Sequence, residues 1–372
     1  MKLSERCLRK FSVRELLITP HIPIVNERGS TSLKDLQVGW NNGIVVSTRN
    51  VLLTFDPQNG KKAISGSVFI SHAHNDHTKG FDSENRKIAT QETCELYEAK
   101  TRMKPDNKKV LSYSDKISFD DVEIILHDAG HILGSAQFQI MTPFGTVIYT
   151  GDINLLETLT TKSASIADCD ILIMEATYGD PFYAFPERED TYSNIISWVI
   201  RQVRENHVPI FHLYSVGKAQ EVIALLNDFT NLPVVVDSPI ARASHIYSKY
   251  DHKLVFLDSA EEEGQELLRH GNCAYLVSNA NNSTIPTERK VARSVVTGWA
   301  LRFKTPNGAF PLSSHADYPH LIDYVKEVNP SRVYTCFGSS ELLAQHIRKE
   351  CKIAARPLPT IEQTSLMNFI QG

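Results

Sequence analysis

The sequence predicts an α/β protein built in two parts, and three observations carry that prediction. Its 372 residues exceed what one small core organises and fit two domains. Short apolar runs stop, again and again, at a His, Asp or Glu, the pattern of a sandwich whose strand ends line one edge. Past residue 189 the pattern changes to strands alternating with amphipathic helices, which reads as a small parallel sheet.

Taken in order, Gly43–Ser47 and Val51–Asp56, joined at Thr48-Arg49-Asn50, predict a hairpin ending in Asp56. Val68–Ser71 is a buried strand that runs into His72-Ala73-His74-Asn75-Asp76-His77. Alternation points His72 and His74 the same way, while Asp76 and His77 fall on the following turn and face a second point. Two neighbouring metals need that division: nitrogen ligands for one, a mixed nitrogen and oxygen set for the other. Val122–His127 meets Asp128-Ala129-Gly130-His131, and Gly130 and Gly134 let the backbone turn tightly around that histidine. Gln137–Met141 and Thr146–Thr150 flank a Pro143-Phe144-Gly145 turn, and the second strand runs into Gly151-Asp152. Ile171–Met174 runs into Glu175. With the upstream cluster present, His131 reads as a third nitrogen ligand. Asp152 reads as a bridging carboxylate, able to hold two metals about 3.5–4 Å apart.

In the second part, Glu189–Asn206 places Tyr192, Ile195, Ile196, Val199, Ile200 and Val203 on one stripe of a helix, which predicts core. Val208–Ser215 is a strand, Val216-Gly217-Lys218 opens a helix running through Phe229, and Leu232–Asp237 is a second strand followed by Ser238-Pro239 and another helix. Free backbone N–H groups at the Gly217-Lys218 turn offer a phosphate site.

The formal net charge of −4 gives no global basic signal, so a nucleic-acid ligand needs local patches. Candidates are Arg242, Lys249, Arg289, Lys290, Arg293, Arg302 and Lys304, with Lys100 to Lys104 and Lys108-Lys109 in the first part. Trp299, Phe303, Phe310 and Tyr318 are candidates for base stacking, with core packing as the plainer reading of each. Cys7, Cys94, Cys169, Cys273, Cys336 and Cys351 are scattered, with no C-x-x-C, as expected of reduced thiols in the cytoplasm. The first residues lack the apolar core of a signal peptide, and no apolar run approaches a membrane span.

H-A-H-N-D-H at 72–77, G-H-I-L-G-S at 130–135 and T-G-D at 150–152 together resemble the metallo-β-lactamase fold. The resemblance implies an αββα sandwich with a two-metal site on its edge. By it, the first metal takes His72, His74 and His131, the second takes Asp76 and His77, and Asp152 is shared. Asp56 then steadies the histidine loop. The implied cofactor is one or two Zn2+ ions, with Mn2+ or Mg2+ possible at a weaker second position. Glu175-Ala176-Thr177-Tyr178-Gly179 and Ser313-Ser314-His315-Ala316-Asp317 resemble the blocks that bracket the inserted domain of β-CASP nucleases. They imply a metallo-β-lactamase domain over 1–178, a β-CASP domain over 179–311, and a return to the first domain over 312–372.

RNA-processing members of that family end the strand after the S-x-H-A-D block in a metal-ligating histidine. Here Arg332–Cys336 ends in Phe337, which cannot ligate, and this leans towards DNA. Val296-Thr297-Gly298-Trp299-Ala300 is similar to a stretch of the short DNA-ligase-associated exonucleases, although those keep T-H-G where this chain has Cys336-Phe337-Gly338.

The resemblance therefore implies a 5′-to-3′ exonuclease on single-stranded DNA in repair, with other repair proteins such as a DNA ligase as partners and no membrane. The expected chemistry is attack of a metal-activated hydroxide on a phosphodiester. Asp76 and Asp152 orient the hydroxide, His315 protonates the leaving oxygen or binds the phosphate, and Glu175 fixes the His315 tautomer. Ser135, Lys218 and Ser314 are expected contacts to the strand. The alternatives are a ribonuclease in RNA processing or decay and a non-catalytic scaffold, the latter opposed by the intact ligand set.

Overall fold

A computed structural model describes residues 35–62, 64, 66–278, 285–303 and 308–362. Cys7 and Lys304 lie outside the described residues.

The first sheet takes its strands in chain order: β1 (Gln37–Trp40), β2 (Ile44–Ser47), β3 (Leu52–Phe55), β4 (Ser67–Phe69), β5 (Lys87–Ala89) and β6 (Lys108–Val110). The predicted hairpin is β2 and β3, paired antiparallel with Ile44 opposite Phe55. From β3 onward the sheet is parallel, which requires crossovers. One of them is α1 (Gln91–Thr101), capped where Thr90 accepts from the Thr93 N–H. The second sheet begins with β7 (Lys116–Phe119), β8 (Val122–Asp128), β9 (Ala136–Thr142), β10 (Gly145–Tyr149) and β11 (Ile171–Glu175).

The chain then leaves to build a third sheet. In order come α2 (Arg188–Arg204), β12 (His207–His212), α3 (Lys218–Phe229), β13 (Val234–Val236), α4 (Ser238–Lys249), β14 (Leu257–Asp258), α5 (Glu262–His270), β15 (Ala274–Val277), β16 (Lys290–Val296) and β17 (Ala309–Phe310). Every described pairing in this sheet is parallel, as strand and helix alternation predicts. Afterwards α6 (Tyr318–Val328), β18 (Arg332–Cys336), α7 (Ser340–Glu350) and β19 (Ala354–Pro357) return to the second sheet, where β18 lies parallel to β11 with Ile171 opposite Arg332.

The inward faces of the first two sheets share one core, in which Phe55 stacks on Phe69 at 4.9 Å and tilts against Phe138 at 5.2 Å. Cys94 and Tyr97 of α1 pack with Val68 and Ile70 on the outer face of the first sheet. On the outer face of the second sheet, α6 and α7 bury Leu321, Val325, Leu343 and Ile347 against Leu172 and Val333. The layers are therefore α, β, β, α, with a third α/β unit inserted between β11 and β18. No described helix is long and apolar enough to cross a membrane. Cys94, Cys169, Cys273, Cys336 and Cys351 are unbridged thiols.

Two expectations for the inserted unit are corrected. On α2 the buried face is Ile195, Trp198, Val199 and Gln202, while Ile200 and Val203 are exposed. Neighbours at i, i+3, i+4 and i+7 define the narrow face that α3 and the sheet can cover, and Ile200 and Val203 fall outside it. The strand expected over Val208–Ser215 stops at His212, and Leu213 to Ser215 become a loop that reaches the site described next.

One buried ion pair ties α2 to α3 and to the loop before α6. Arg188 donates from Nε (2.8 Å) and Nη2 (3.0 Å) to the two carboxylate oxygens of Glu221, and from Nη2 to the Ser313 carbonyl (2.9 Å). Removing one partner leaves a buried charge unpaired. Arg188→Met should lower stability to urea by roughly 3 kcal/mol. A loss under about 1 kcal/mol would mean that water reaches Glu221 and stands in for the guanidinium.

Candidate metal centre

Asp56 follows β3 with φ +45°, a left-handed conformation that aspartate tolerates. That turn aims its fully buried carboxylate at the segment leaving β4. It accepts from the Ser71 N–H (2.8 Å), the Ser71 hydroxyl (2.5 Å), His77 Nδ1 (2.8 Å) and the Tyr149 hydroxyl (2.7 Å). One anion thus pins both ends of the histidine run. Sequence reasoning missed Ser71 and Tyr149; their one signal was position, immediately before His72 and just before Thr150-Gly151-Asp152.

His72, His74, His131 and Asp152 present one donor atom each within 4.8 Å of one another. His72 Nε2 lies 3.1 Å from His74 Nδ1, which lies 3.0 Å from His131 Nε2. The outward nitrogens of all three rings are engaged, that of His72 with the Ser71 hydroxyl at 2.9 Å. His131 Nδ1 donates to the Ser314 carbonyl at 2.7 Å, and His74 Nε2 pairs with the Val216 carbonyl at 3.2 Å. This orientation leaves the inward nitrogens as lone-pair donors.

Asp152 stands at the end of β10, beyond Gly151 (φ +56°). Its Oδ2 sits 3.3 Å from His72 Nε2, 3.5 Å from His77 Nε2, 3.7 Å from His131 Nε2 and 3.9 Å from His315 Nε2. Burial pushes His72 down, and His74 and His131 well below the usual imidazole range. Burial would raise Asp152, but His77, His315 and His72 outweigh it and hold the carboxyl well below the usual range. Three neutral imidazoles around an ionised carboxylate form a donor set that fits a divalent cation without displacing a proton.

The second half differs. His77 Nδ1 is taken by Asp56, and its Nε2 faces Asp152 and, at 3.7 Å, Asp76. Burial lowers the imidazole, yet Asp152 and Asp56 outweigh burial and raise it to about 10. The Asp76 side chain is 71% exposed, at the rim of the cluster. Phe337, with φ +60°, lays its ring 5.6 Å from that of His77 and 6.0 Å from that of Trp40, so this wall carries an aromatic edge and no donor atom.

His315 and Glu175 meet as the sequence predicts. His315 Nδ1 lies 3.0 Å from both carboxylate oxygens of Glu175, which is fully buried, and Nε2 faces Asp152. Burial would lower His315, but Glu175 and Asp152 raise it. Glu175 also accepts from the Ile153 N–H at 2.7 Å, tying His315 to the loop of Asp152.

The cluster opens to a cavity of about 380 Å³, walled by Lys100, Tyr178, Tyr214, Lys218, Trp299 and Phe337 among others. Lys218 is 5% exposed, and burial pushes its ammonium down to about 8. It lies 4.8 Å over the Tyr214 ring, with no hydrogen-bond acceptor or ion-pair partner described for it. Lys100 donates to the Ala73 carbonyl at 3.1 Å, between the two leading histidines.

Two of the expected strand contacts, Ser135 and Ser314, and the expected phosphate turn at Gly217 are engaged by the protein's own groups. Ser135 is buried, and its hydroxyl accepts from the His131 and Ile132 N–H groups, so it shapes the His131 loop. Ser314 is buried and holds His131 through its carbonyl. The Gly217 N–H, expected to be free for phosphate, is capped by Gln220 Oε1 at 2.7 Å. Among the basic and aromatic candidates, Lys249 pairs with Glu95, Arg289 with Asn272, and Phe310 is core. Trp299 alone among those aromatics lines the cavity.

No protein-family model matches the chain. It is 30% identical over 293 residues to a protein of Opitutus terrae named "Probable DNA ligase", covering 76% of this chain and 28% of that one. It is 28% identical over 220 residues to "Probable RNase MJ4" of Methanocaldococcus jannaschii, covering 50% of this chain and 51% of that one. The chain thus spans about half, or less, of these relatives. Among solved structures, a protein of unknown function from Enterococcus faecalis shares the fold, with a TM-score of 0.59 at 15% identity over 87% of this chain and 97% of that one.

Proposed function

We propose, on the premise that the chain belongs to the β-CASP nucleases of the metallo-β-lactamase fold, that it is a metal-dependent 5′-to-3′ exonuclease acting on single-stranded DNA in repair. The observation that carries this reading is the donor set His72, His74, His131 and Asp152, opening on a cavity whose wall holds the buried Lys218. A buried ammonium that burial holds down to about 8, on the wall of that cavity, fits an anionic substrate that would favour its charged form.

His72, His74 and His131 with Asp152 would hold one ion, and Asp76 and His77 with Asp152 a second. Zinc suits the nitrogen-rich set, and manganese or magnesium the oxygen-richer one. When bound, such ions lower the pKa of water and draw charge from the phosphodiester. The chain's own groups do the rest. Lys218 binds a non-bridging phosphate oxygen. Glu175 fixes the His315 ring with Nδ1–H outward, which leaves protonated Nε2 to deliver a proton to the departing 3′-oxygen, giving a 5′-phosphate product.

The relative named a DNA ligase, and an aromatic edge where a further ligand would complete the second position, favour DNA. The relative named an RNase keeps RNA as the second reading. Matched 5′-phosphorylated DNA and RNA strands, labelled at the 3′ end, separate the two in the presence of zinc or manganese. The expected result is a ladder of shortened DNA with RNA spared, and a rate about 100-fold lower for His315→Gln and for Asp76→Asn. Faster loss of RNA would move the protein to RNA processing, and full rates in both variants would overturn the assigned roles.

A further inference from the structure

Three planar side chains stay exposed near the cavity, which Trp299 lines. Phe182 is 54% exposed and Trp299 39% exposed. The Arg302 side chain is 54% exposed, and its guanidinium lies 5.4 Å over Phe182 and 4.8 Å over Tyr183. Soluble proteins leave contiguous apolar surface open chiefly where something binds.

The row is continuous with the metal centre. The Tyr183 ring, itself buried, lies 5.3 Å from Phe182 and 5.2 Å from Trp299. Trp299 lies 4.9 Å from Tyr178, and Tyr178 lies 5.8 Å from His315. Gly298 permits this approach, because a Cβ there would meet the Tyr178 hydroxyl at 2.5 Å. The planes are also held in place. Arg302 Nη2 donates to Asp180 at 3.1 Å, and the same aspartate caps the Phe182 N–H at 2.9 Å. Since Asp180 already balances the Arg302 charge, the guanidinium contributes a stacking face more than a net charge.

We infer that Phe182, Arg302 and Trp299 form a stacking platform for the unpaired bases of a nucleic-acid strand that leads to the metal centre. This rests on the nucleic-acid reading above. In a duplex the base faces are spent on each other, so a row of open planes selects a single strand, and it does so without reading sequence, because every base has a π-face.

The test is the dependence of KM on strand length, with unpaired strands from about four to sixteen nucleotides. For the unaltered protein KM should fall as the strand grows long enough to reach Phe182. Phe182→Ala and Trp299→Ala should each raise KM about tenfold on long strands and progressively less on shorter ones, while Phe182→Tyr and Trp299→Phe restore the original dependence. Alanine variants that follow the unaltered protein at every length, or that raise KM equally at all lengths, would overturn the platform. If the unaltered protein cuts no strand of either sugar, the nucleic-acid reading itself falls, and the platform with it.

Discussion

Asp152→Asn is expected to reduce turnover at least a thousandfold, equivalent to about 4 kcal/mol, and to strip the protein of metal. Oδ2 of this one carboxylate lies within 3.9 Å of four imidazoles, those of His72, His77, His131 and His315. An amide keeps the shape and removes the charge. Where the change places an N–H group against a ring nitrogen, it also turns an acceptor into a donor. Two divalent charges beside three neutral histidines would then lack the anion that offsets them. His315 would lose one of the two carboxylates that raise its imidazole. The comparison with Asp76→Asn is informative, because Asp76 is mostly exposed and touches only His77 in this cluster. Its loss should cost less metal. The measurement is metal bound per chain after dialysis, read together with kcat. An Asp152→Asn protein that retains its metal and keeps kcat within tenfold of the original would remove Asp152 from the centre of the site.

Much of this site was legible because strand ends are where a sandwich can gather ligands. His72, His74, His131, Asp152 and Glu175 each follow a run whose apolar character marks a strand, and all five converge. What local pattern does not encode is the direction of a side chain in a loop. Ser135 and Ser314 sit next to predicted ligands in sequence, and both turn inward to brace His131. Long-range pairing was equally hidden. β18 joins β11 across about 160 residues, and nothing within Arg332–Cys336 names its neighbour. The resemblance of the bracketing blocks supplied that connection. On α2, an apolar stripe wider than the face the sheet can cover left Ile200 and Val203 in solvent. Tyr149 gave no hint of its role, since a tyrosine at the end of a buried strand is ordinarily core, and its ring does pack against Phe55 at 5.7 Å. Only the third dimension reveals that its hydroxyl reaches Asp56.

Asp56→Ala should be strongly destabilising, at roughly 3–5 kcal/mol in the metal-free protein. Four donors end on this carboxylate: the Ser71 N–H, the Ser71 hydroxyl, His77 Nδ1 and the Tyr149 hydroxyl. Asp56, Ser71, His77 and Tyr149 are all buried, so water cannot easily replace the lost acceptor. Burial raises the Asp56 carboxyl, but His77 outweighs it and lowers the group, so the folded state holds an ion pair there. Removing the anion leaves His77 Nδ1 and the Ser71 and Tyr149 donors buried without an acceptor, and leaves Asp152 and Asp76 as the carboxylates beside the imidazole. Asp56→Asn should lie between the two, since its remaining oxygen can still accept from the Ser71 N–H while its amide opposes the other donors. The effect should reach the metal centre as well. With His77 no longer fixed through Nδ1, its Nε2 loses the orientation that faces Asp152, and metal affinity should fall by 10–100-fold. Urea unfolding of the metal-free variants, set beside metal titration of the folded ones, separates the two consequences. A stability loss under about 1 kcal/mol, with metal affinity unchanged, would show that the histidine loop holds its shape without the carboxylate.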